Sequence, residues 1–476
     1  MQPGFHFRPA RLAAPALLTL LSACAGLVSQ RPGEPPAVDV PAAWSSSRDG
    51  LAGGSATHEW WNTFGDAQLT ALVERALRAN TDVQTALANL RQARALVTVQ
   101  NATLLPQLDA SGSAQRSKSA GVPASNLFRA GFDASWEPDL FGANRAGLDA
   151  ARADVQSSAA SLGDVQVSIA AEVATNYLQW RGTGVRLNVA RENLKLQEET
   201  LQIAQWRTQA GLGTSLEVEQ ARAAAEQTRA QIPVFEATLA QTANSIAVLT
   251  ARAPGTLPEL ASAGEAPVAA GGFALTIPAD TLRQRPDVRR AEADVRAAAS
   301  RATQAEAQRY PSFSLSGNIG LSALTLGALG ASGSGAAALL AGVSVPLFNG
   351  GALKAQVDAR DAALAGAGSV YQGTVFTALK DVEDSLVGLK SAQERRATLQ
   401  RAAEAADNAS LIARQRYGSG LIDFQTVLDT QRTQLSTQDS LAAARTDVAT
   451  AQVRLVKALG GGWTAEEPAV QAARQP

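Results

Sequence analysis

From Leu127 to Glu137 the chain alternates residue by residue. Phe128, Ala130, Phe132, Ala134 and Trp136 fall on one side, and Arg129, Asp133, Ser135 and Glu137 on the other. A period of two predicts a β-strand with one apolar and one polar face. Gln107 to Arg116 alternates more weakly, with Leu108, Ala110, Gly112 and Ala114 opposite Asp109, Ser111, Ser113 and Gln115. Later, Phe313, Leu315, Ile319 and Leu321 oppose Ser312, Ser314, Ser316 and Asn318, and Ala337, Leu339, Ala341, Val343, Val345 and Leu347 share one parity. Strands are therefore predicted near 107–116, 127–137, 312–322 and 337–347, with loops at 117–126 and 323–335. Each run approaches the about 9–11 residues of a tilted transmembrane strand. Two soluble hairpins would produce the same alternation. Faces of Phe, Trp and Leu set against charged faces instead match lipid and lumen. Trp136 and Tyr310 stand at strand ends, where membrane-interface aromatics belong, and helix–strand packing is their other use.

Between the strand pairs the pattern turns helical and long. No proline occurs between Gly142 and Gly211, or between Leu353 and Tyr417. At ~1.5 Å per residue, a helix through either stretch is on the order of 100 Å long. Leu187, Leu194 and Leu201 recur every seven residues with Ala190 and Ala204 between them, which predicts a coiled-coil seam. The packing partners would be Leu216 to Leu249, kinked near Pro233, and Phe424 to Leu459. Thr81 to Leu104 and Val288 to Arg309 are helices that lead into the strand pairs.

This order of elements occurs twice. Asp82, Pro106 and Gly112 recur as Asp287, Pro311 and Gly317, each 205 residues later. Leu140-Phe141 recurs at 207 as Leu347-Phe348, and Arg207, Gly211 and Leu212 recur at 209 as Arg416, Gly420 and Leu421. The spacing is too long for a solenoid, so one large unit has been duplicated. Four strands cannot close a membrane barrel, since about eight is the smallest closed number. Open edges are not tolerated in lipid. The chain must therefore assemble. Two copies would make a filled eight-strand barrel and three a twelve-strand barrel with a lumen; a conduit needs the larger.

The beginning of the chain carries an address. Arg8 and Arg11 precede the short apolar run Leu12 to Leu21, a secretory signal at 1–23. Leu21-Ser22-Ala23-Cys24 has the form of a bacterial lipoprotein processing box, and Cys24 is the one cysteine of the chain. Lipid on Cys24 would attach the protein to a membrane, and the stretch 24–58, Pro- and Gly-rich from Gln30 to Pro41, reads as its tether. Net charge is −1 with 18% charged residues, so no basic surface speaks for nucleic acid. Two histidines and one cysteine leave little for a soft-ligand metal site. No nucleophile–base pair, metal spacing or phosphate loop supports an enzyme, and no cofactor is called for beyond the covalent lipid. Aromatic residues are only 5% of a chain that is 46% hydrophobic, which suits close-packed Ala-rich helices.

Several ordered motifs resemble TolC-type outer-membrane efflux channels, in particular the NodT-like lipoprotein outer-membrane factors. They are Trp60-Trp61-Asn62-Thr63-Phe64, Ser135-Trp136-Glu137-Pro138-Asp139-Leu140-Phe141-Gly142, Arg283-Gln284-Arg285-Pro286-Asp287-Val288, Val345-Pro346-Leu347-Phe348-Asn349-Gly350-Gly351 and Lys457-Ala458-Leu459-Gly460-Gly461-Gly462-Trp463. The resemblance spans essentially the whole mature chain. It implies an α+β membrane protein: a homotrimer whose twelve-strand barrel, four strands per chain, continues into a long periplasmic helical barrel. The first repeat would occupy 59–268, the second 269–463, and the C-terminal tail 464–476. A collar would use the segment around Trp60, the Pro/Gly-rich stretch from Arg252 to Pro278, and the tail.

The implied function is a passive exit duct. An inner-membrane pump of the resistance-nodulation-division (RND) type and a periplasmic membrane-fusion adaptor would deliver substrates to it, for release across the outer-membrane lipid. The turns holding Gly211, Leu212 and Gly213, and Gly420 and Leu421, would meet the adaptor. Asp429, with Asp423 and Tyr417, would form the periplasmic aperture. Asp429 and Tyr417 answer to Gln220 and Thr208 in the first repeat, which assigns the gate to the second. Some relatives lock the closed state through a basic residue five positions after this tyrosine, where this chain has Ile422. A type I protein-secretion channel and a non-conducting structural lipoprotein bridging the periplasm are the alternative functions.

Overall fold

The computed structural model describes residues 29–45, 59–121, 123–257, 260, 264–269, 278–461 and 463; Cys24, the segment 1–23 and the tail 464–476 lie outside them. A 3-10 turn, Trp60–Phe64, leads into α1 (Ala67–Ala79) and α2 (Thr81–Ala102). Then come β1 (Gln107–Ser117), β2 (Ser125–Trp136), α3 (Ala143–Gln209), α4 (Ser215–Arg229) and α5 (Ile232–Leu249). The second half repeats this with α6 (Pro278–Gln284), α7 (Pro286–Ala307), β3 (Ser312–Ala323), β4 (Gly335–Ser344), α8 (Ala352–Gly418) and α9 (Phe424–Ala458). α2 and α7 are both 22 residues long, and α3 and α8 both 67.

Proline decides where the halves diverge. α9 runs unbroken for 35 residues, whereas its counterpart is cut into α4 and α5 at Ala230 and Gln231. The expected kink is there: only Ala230 and Gln231 separate the two helices, and both keep a right-handed helical backbone. Pro233 donates no hydrogen bond and its ring clashes with the carbonyl of Arg229, the last residue of α4, so a new helix starts with Pro233 in its first turn. β4 likewise stops at Ser344, short of the predicted Leu347, because Pro346 cannot donate to a ladder. Pro286, at the first position of α7, costs nothing there.

The residues form two compact units, and each draws on both repeats. The described residues of the first fall within 29–37, 89–159 and 290–373, and hold the antiparallel sheet in the order β1-β2-β3-β4. Its register puts whole rungs on one face: Leu108, Ala134, Gly317 and Leu339 stand side by side, as do Ala110, Phe132, Ile319 and Ala337. The next rung down the other face is Asp109, Asp133, Asn318 and Ala338. The apolar face is exposed in the single chain, with Leu108, Phe132, Ile319, Leu339 and Val343 all open. Gly131 and Gly320 are paired across β2 and β3, and a Cβ on either would lie under 3 Å from backbone atoms of the other strand. No described helix is long and apolar enough to cross a membrane.

The two aromatics expected at a membrane interface sit at the sheet's margin. Trp136 ends β2, and its indole Nε1 donates to the Leu104 carbonyl at 3.1 Å. Tyr310, two residues before β3, stacks on Phe141 at 5.2 Å between ring centres. In the same unit, part of the stretch expected to be a tether is docked. Arg31 grips Asp361 with two hydrogen bonds of 2.9 Å, and Pro36 packs over Gly368 on α8.

The described residues of the second unit fall within 38–88, 160–289 and 374–463. The Trp60-Trp61 motif forms its core: both indoles and Phe64 are buried against Leu69, Val73, Val173, Tyr177 and Leu178. Each such side chain withdrawn from water contributes about 1.5–3 kcal/mol. A polar knot ties this core to α3. The Tyr177 hydroxyl donates to Asp66 at 2.9 Å, and Arg181 reaches Asp66 at 3.1 Å and the Gly264 and Glu265 carbonyls at 3.0 Å. Trp44 fills a second pocket lined by Val382, Leu386, Val448 and Leu455.

The helical seam departs from the heptad reading. The buried stripe of α3 runs through Leu187, Ala190, Asn193, Gln197, Thr200 and Ala204, while Leu194 and Leu201 lie half-buried on its flank. The mean step is therefore slightly under the heptad's, and half of the seam is polar.

Candidate functional site at the helical turns

All the residues assigned to the aperture and the adaptor contacts lie in the second unit, at the turns after α3 and α8. Both turns have the same build. The Gly211 amide donates to Thr208 and that of Leu212 to Arg207, at 3.0 and 2.8 Å; Gly420 and Leu421 donate to Tyr417 and Arg416, both at 2.9 Å. These are Schellman closures, which need a left-handed residue, and Gly211 and Gly420 supply it with φ of 74° and 72°. The following leucines are held out of the fold, Leu212 at 70% exposure and Leu421 at 73%. Gly213 is tucked in beside Glu217 and Thr208.

The next helices start with matched caps of different chemistry. Thr214 and Glu217 make a capping box on α4. Asp423 caps α9, accepting from the Thr426 amide at 2.7 Å and its hydroxyl at 2.9 Å. Those hydrogen bonds, the Thr426 amide foremost, hold the Asp423 carboxyl below its usual pKa. Its charge is thus committed to the helix start.

Tyr417 is buried in a small apolar cap with Phe424, Val427, Leu428, Ala204, Ala221 and Ala413. Its ring meets Phe424 at 5.4 Å, and the Arg207 guanidinium lies over it at 4.7 Å. Arg207 also donates to the Tyr417 carbonyl at 3.2 Å, and the hydroxyl lies 3.5 Å from Glu217. Burial, then the Glu217 charge, raises the phenol pKa. Ile422, which stands where a basic partner was sought, packs beside this cap. The tyrosine is instead joined to the first repeat through Arg207 and Glu217. The sequence reading missed both roles, although the Thr214-x-x-Glu217 box was legible.

Asp429 lies one turn further along α9 on the exposed side, away from buried Val427, Leu428 and Gln431. Gln425 donates to it at 3.1 Å, and Arg432 is 3.6 Å away. Both contacts are on its own helix and leave most of the carboxylate in solvent. Among the described residues no group of acidic, His or Cys side chains is arranged to hold a metal ion.

The arrangement of a paired-strand sheet, two 67-residue helices and two glycine-closed turns can be compared with known proteins. The family model described as outer membrane efflux protein matches residues 72–252 and 277–461. The chain belongs to this family. It is 32% identical over 463 residues to Nodulation protein T of Rhizobium leguminosarum bv. viciae, covering 96% of this chain and 95% of that one. It is 32% identical to the toluene efflux pump outer membrane protein TtgC of Pseudomonas putida, covering 86% of each. Among solved structures, the outer-membrane channel OprN superposes with a TM-score of 0.84 at 31% identity, over 91% of this chain and all of OprN. VceC of Vibrio cholerae gives 0.79 at 27%, over 86% of this chain and all of VceC. Family membership places the chain in the outer membrane as a channel protein and not an enzyme.

Proposed function

We propose that this protein is the outer-membrane exit duct of a tripartite efflux pump, and that it works as a homotrimer. The observation that carries the trimer is the four-stranded sheet, with β1 and β4 as its outer strands and an exposed apolar face. In lipid those edges must be paired. Pairing β4 of one copy with β1 of the next closes twelve strands around a lumen when three copies join. The polar rungs with Asp109, Asp133 and Ser111 would line that lumen. Trp136 and Tyr310 would mark the membrane interface, and lipid on Cys24 would add an anchor.

At the other end of the function, the exposed Leu212 and Leu421, with Gly211, Gly213 and Gly420, would receive a periplasmic membrane-fusion adaptor, which links to an RND-type inner-membrane pump. Three Asp429 carboxylates would narrow the aperture and favour cations, tempered by Arg432. The cap holding Tyr417 would keep it closed, while Asp423 serves as helix cap. The toluene efflux of TtgC, and the pyoverdine export of the similar outer membrane protein OpmQ of Pseudomonas putida, support small-molecule efflux over protein secretion.

Purified full-length protein in a planar bilayer tests the reading. Stepwise currents from a particle of three chains are expected. A particle of one or two chains, or a trimer that never conducts, would overturn it and favour a structural bridge.

A further inference from the structure

The two strand pairs differ in charge. The first carries acidic and basic side chains on both strands, among them Asp109, Arg129 and Asp133, and Lys118 in its loop. The second has none: from Pro311 to Leu353 the chain holds no charged residue. Its β3–β4 loop opens with Leu324-Thr325-Leu326-Gly327-Ala328-Leu329 and closes with a stretch of glycine, alanine and serine.

This loop is ordered by hydrogen bonds of its own. The Ser322 amide donates to the Ser334 carbonyl at 2.8 Å, which carries the ladder one step past β4. Within the loop a 3-10 turn covers Leu326–Ala328, and the Ser334 hydroxyl donates back to the Leu329 carbonyl at 2.7 Å. Leu324 and Leu326 nevertheless stand 67% and 69% exposed, without apolar cover from their own chain.

The strands decide what surrounds those leucines. β3 and β4 have 12 and 10 residues, close to the about 9–11 that a tilted strand uses to cross a bilayer. Crossing uses up the ladder, so the loop emerges at the bilayer surface, at the end of the sheet away from α7 and α8. The apolar face runs up to it through Ile319 and Leu321 of β3 and Leu339 of β4, all exposed. An apolar side chain gains by leaving water and a charged one loses by entering hydrocarbon, so leucines in an uncharged loop suit the bilayer margin.

We propose that the β3–β4 loop is a lipid-docking knob. Leu324 and Leu326 seat among the acyl chains of the outer leaflet, just under the headgroups, and fix the depth of the second strand pair. The first pair, with Lys118 in its loop, has no such knob. The inference rests on the barrel reading, in which the apolar face meets lipid and these loops lie at the outer surface.

Fluorescent probes on the full-length protein in liposomes test it. An NBD label is placed at L326C, at S119C in the charged loop, and at I319C on the apolar face. The unsubstituted chain is the blank, because its one cysteine, Cys24, is the expected lipid carrier. Phospholipid with a nitroxide high on the acyl chain should quench the 326 probe. Iodide present on both sides should quench it about tenfold less than the 119 probe, since ions stay out of hydrocarbon. Where L326C fails to assemble, L324C is read in the same way. A 326 probe as open to iodide as the 119 probe puts the loop in water and overturns the knob. A 326 probe that neither quencher reaches is covered by protein, as where three loops meet across the lumen, and overturns it equally. The 319 probe separates the two readings. Quenched by lipid alone, it confines such a failure to the loop; open to iodide, it brings down the barrel reading and the knob with it.

Discussion

Replacing Arg285 by methionine would test how the second repeat is tied to the end of α9. The guanidinium is almost wholly buried; it meets Asp287 with two hydrogen bonds, of 3.0 and 2.7 Å, and Asp381 at 3.2 Å. It also donates to the carbonyl of Ala458, the last residue of α9, at 2.9 Å. Removing one partner of a buried pair costs about 3–5 kcal/mol. Asp287 keeps the Val288 amide at 2.9 Å and some solvent contact, so the loss expected for R285M is nearer ~2–3 kcal/mol. A domain of about 150–250 residues melts about 2–4 °C lower per kcal/mol, and a chain of twice that size about half as much, so helical circular dichroism should show a fall of about 2–6 °C.

The pH dependence sharpens the test. Burial pushes the Asp287 pKa up, but the hydrogen bonds and charge of Arg285 outweigh it and hold the group below its ordinary value. A depressed pKa contributes stability that is complete above the ordinary carboxylate range and lost as pH falls through the folded value. In R285M burial is opposed only by backbone amides, Val288 first among them, so protonation relieves the stranded charge, and the deficit should shrink as pH is lowered from 7 toward 4. R285M/D287N should recover part of the loss at neutral pH. A melting point unchanged by R285M, or a deficit identical at pH 7 and pH 4, would refute the reasoning.

Three further outcomes are expected. Tyr417→Phe removes only a long hydroxyl contact, so melting should change by less than the equivalent of ~0.5 kcal/mol. Openings in a planar bilayer should nevertheless become more frequent; identical gating would show that the hydroxyl does not hold the turns closed. Asp429→Ala should raise conductance or weaken block by divalent cations, and unchanged current and block would place Asp429 outside the constriction. Gly131→Val puts atoms where the β3 backbone already lies, so assembled trimer in the outer-membrane fraction should be lost; normal yield would mean the strands separate more readily than the register implies.

Much of this was legible because duplication and periodicity are local, additive signals. Strand parity predicted which residues share a face, and the rungs of the sheet bear this out for Phe132, Ile319 and Ala337. The absence of proline predicted both 67-residue helices to within a residue or two. What escaped depends on contacts distant in sequence. Leucines every seven residues suggested an apolar seam, but the neighbours of α3 bring glutamine and aspartate from α8 and α9, and Asn193 and Thr200 turn to meet them. Tyr417 was noticed while its partners were not, because Arg207 and Glu217 lie 210 and 200 residues away.

The proline break gives the two halves different mechanical characters. α9 is an uninterrupted shaft from the cap at Asp423 to Ala458, where Arg285 clasps its final carbonyl. A twist applied at its turn is delivered along the full helix. Its counterpart is jointed at Ala230 and Gln231, so a twist applied there is absorbed at the elbow. Duplication supplied two equivalent levers; a proline left one rigid and made the other compliant.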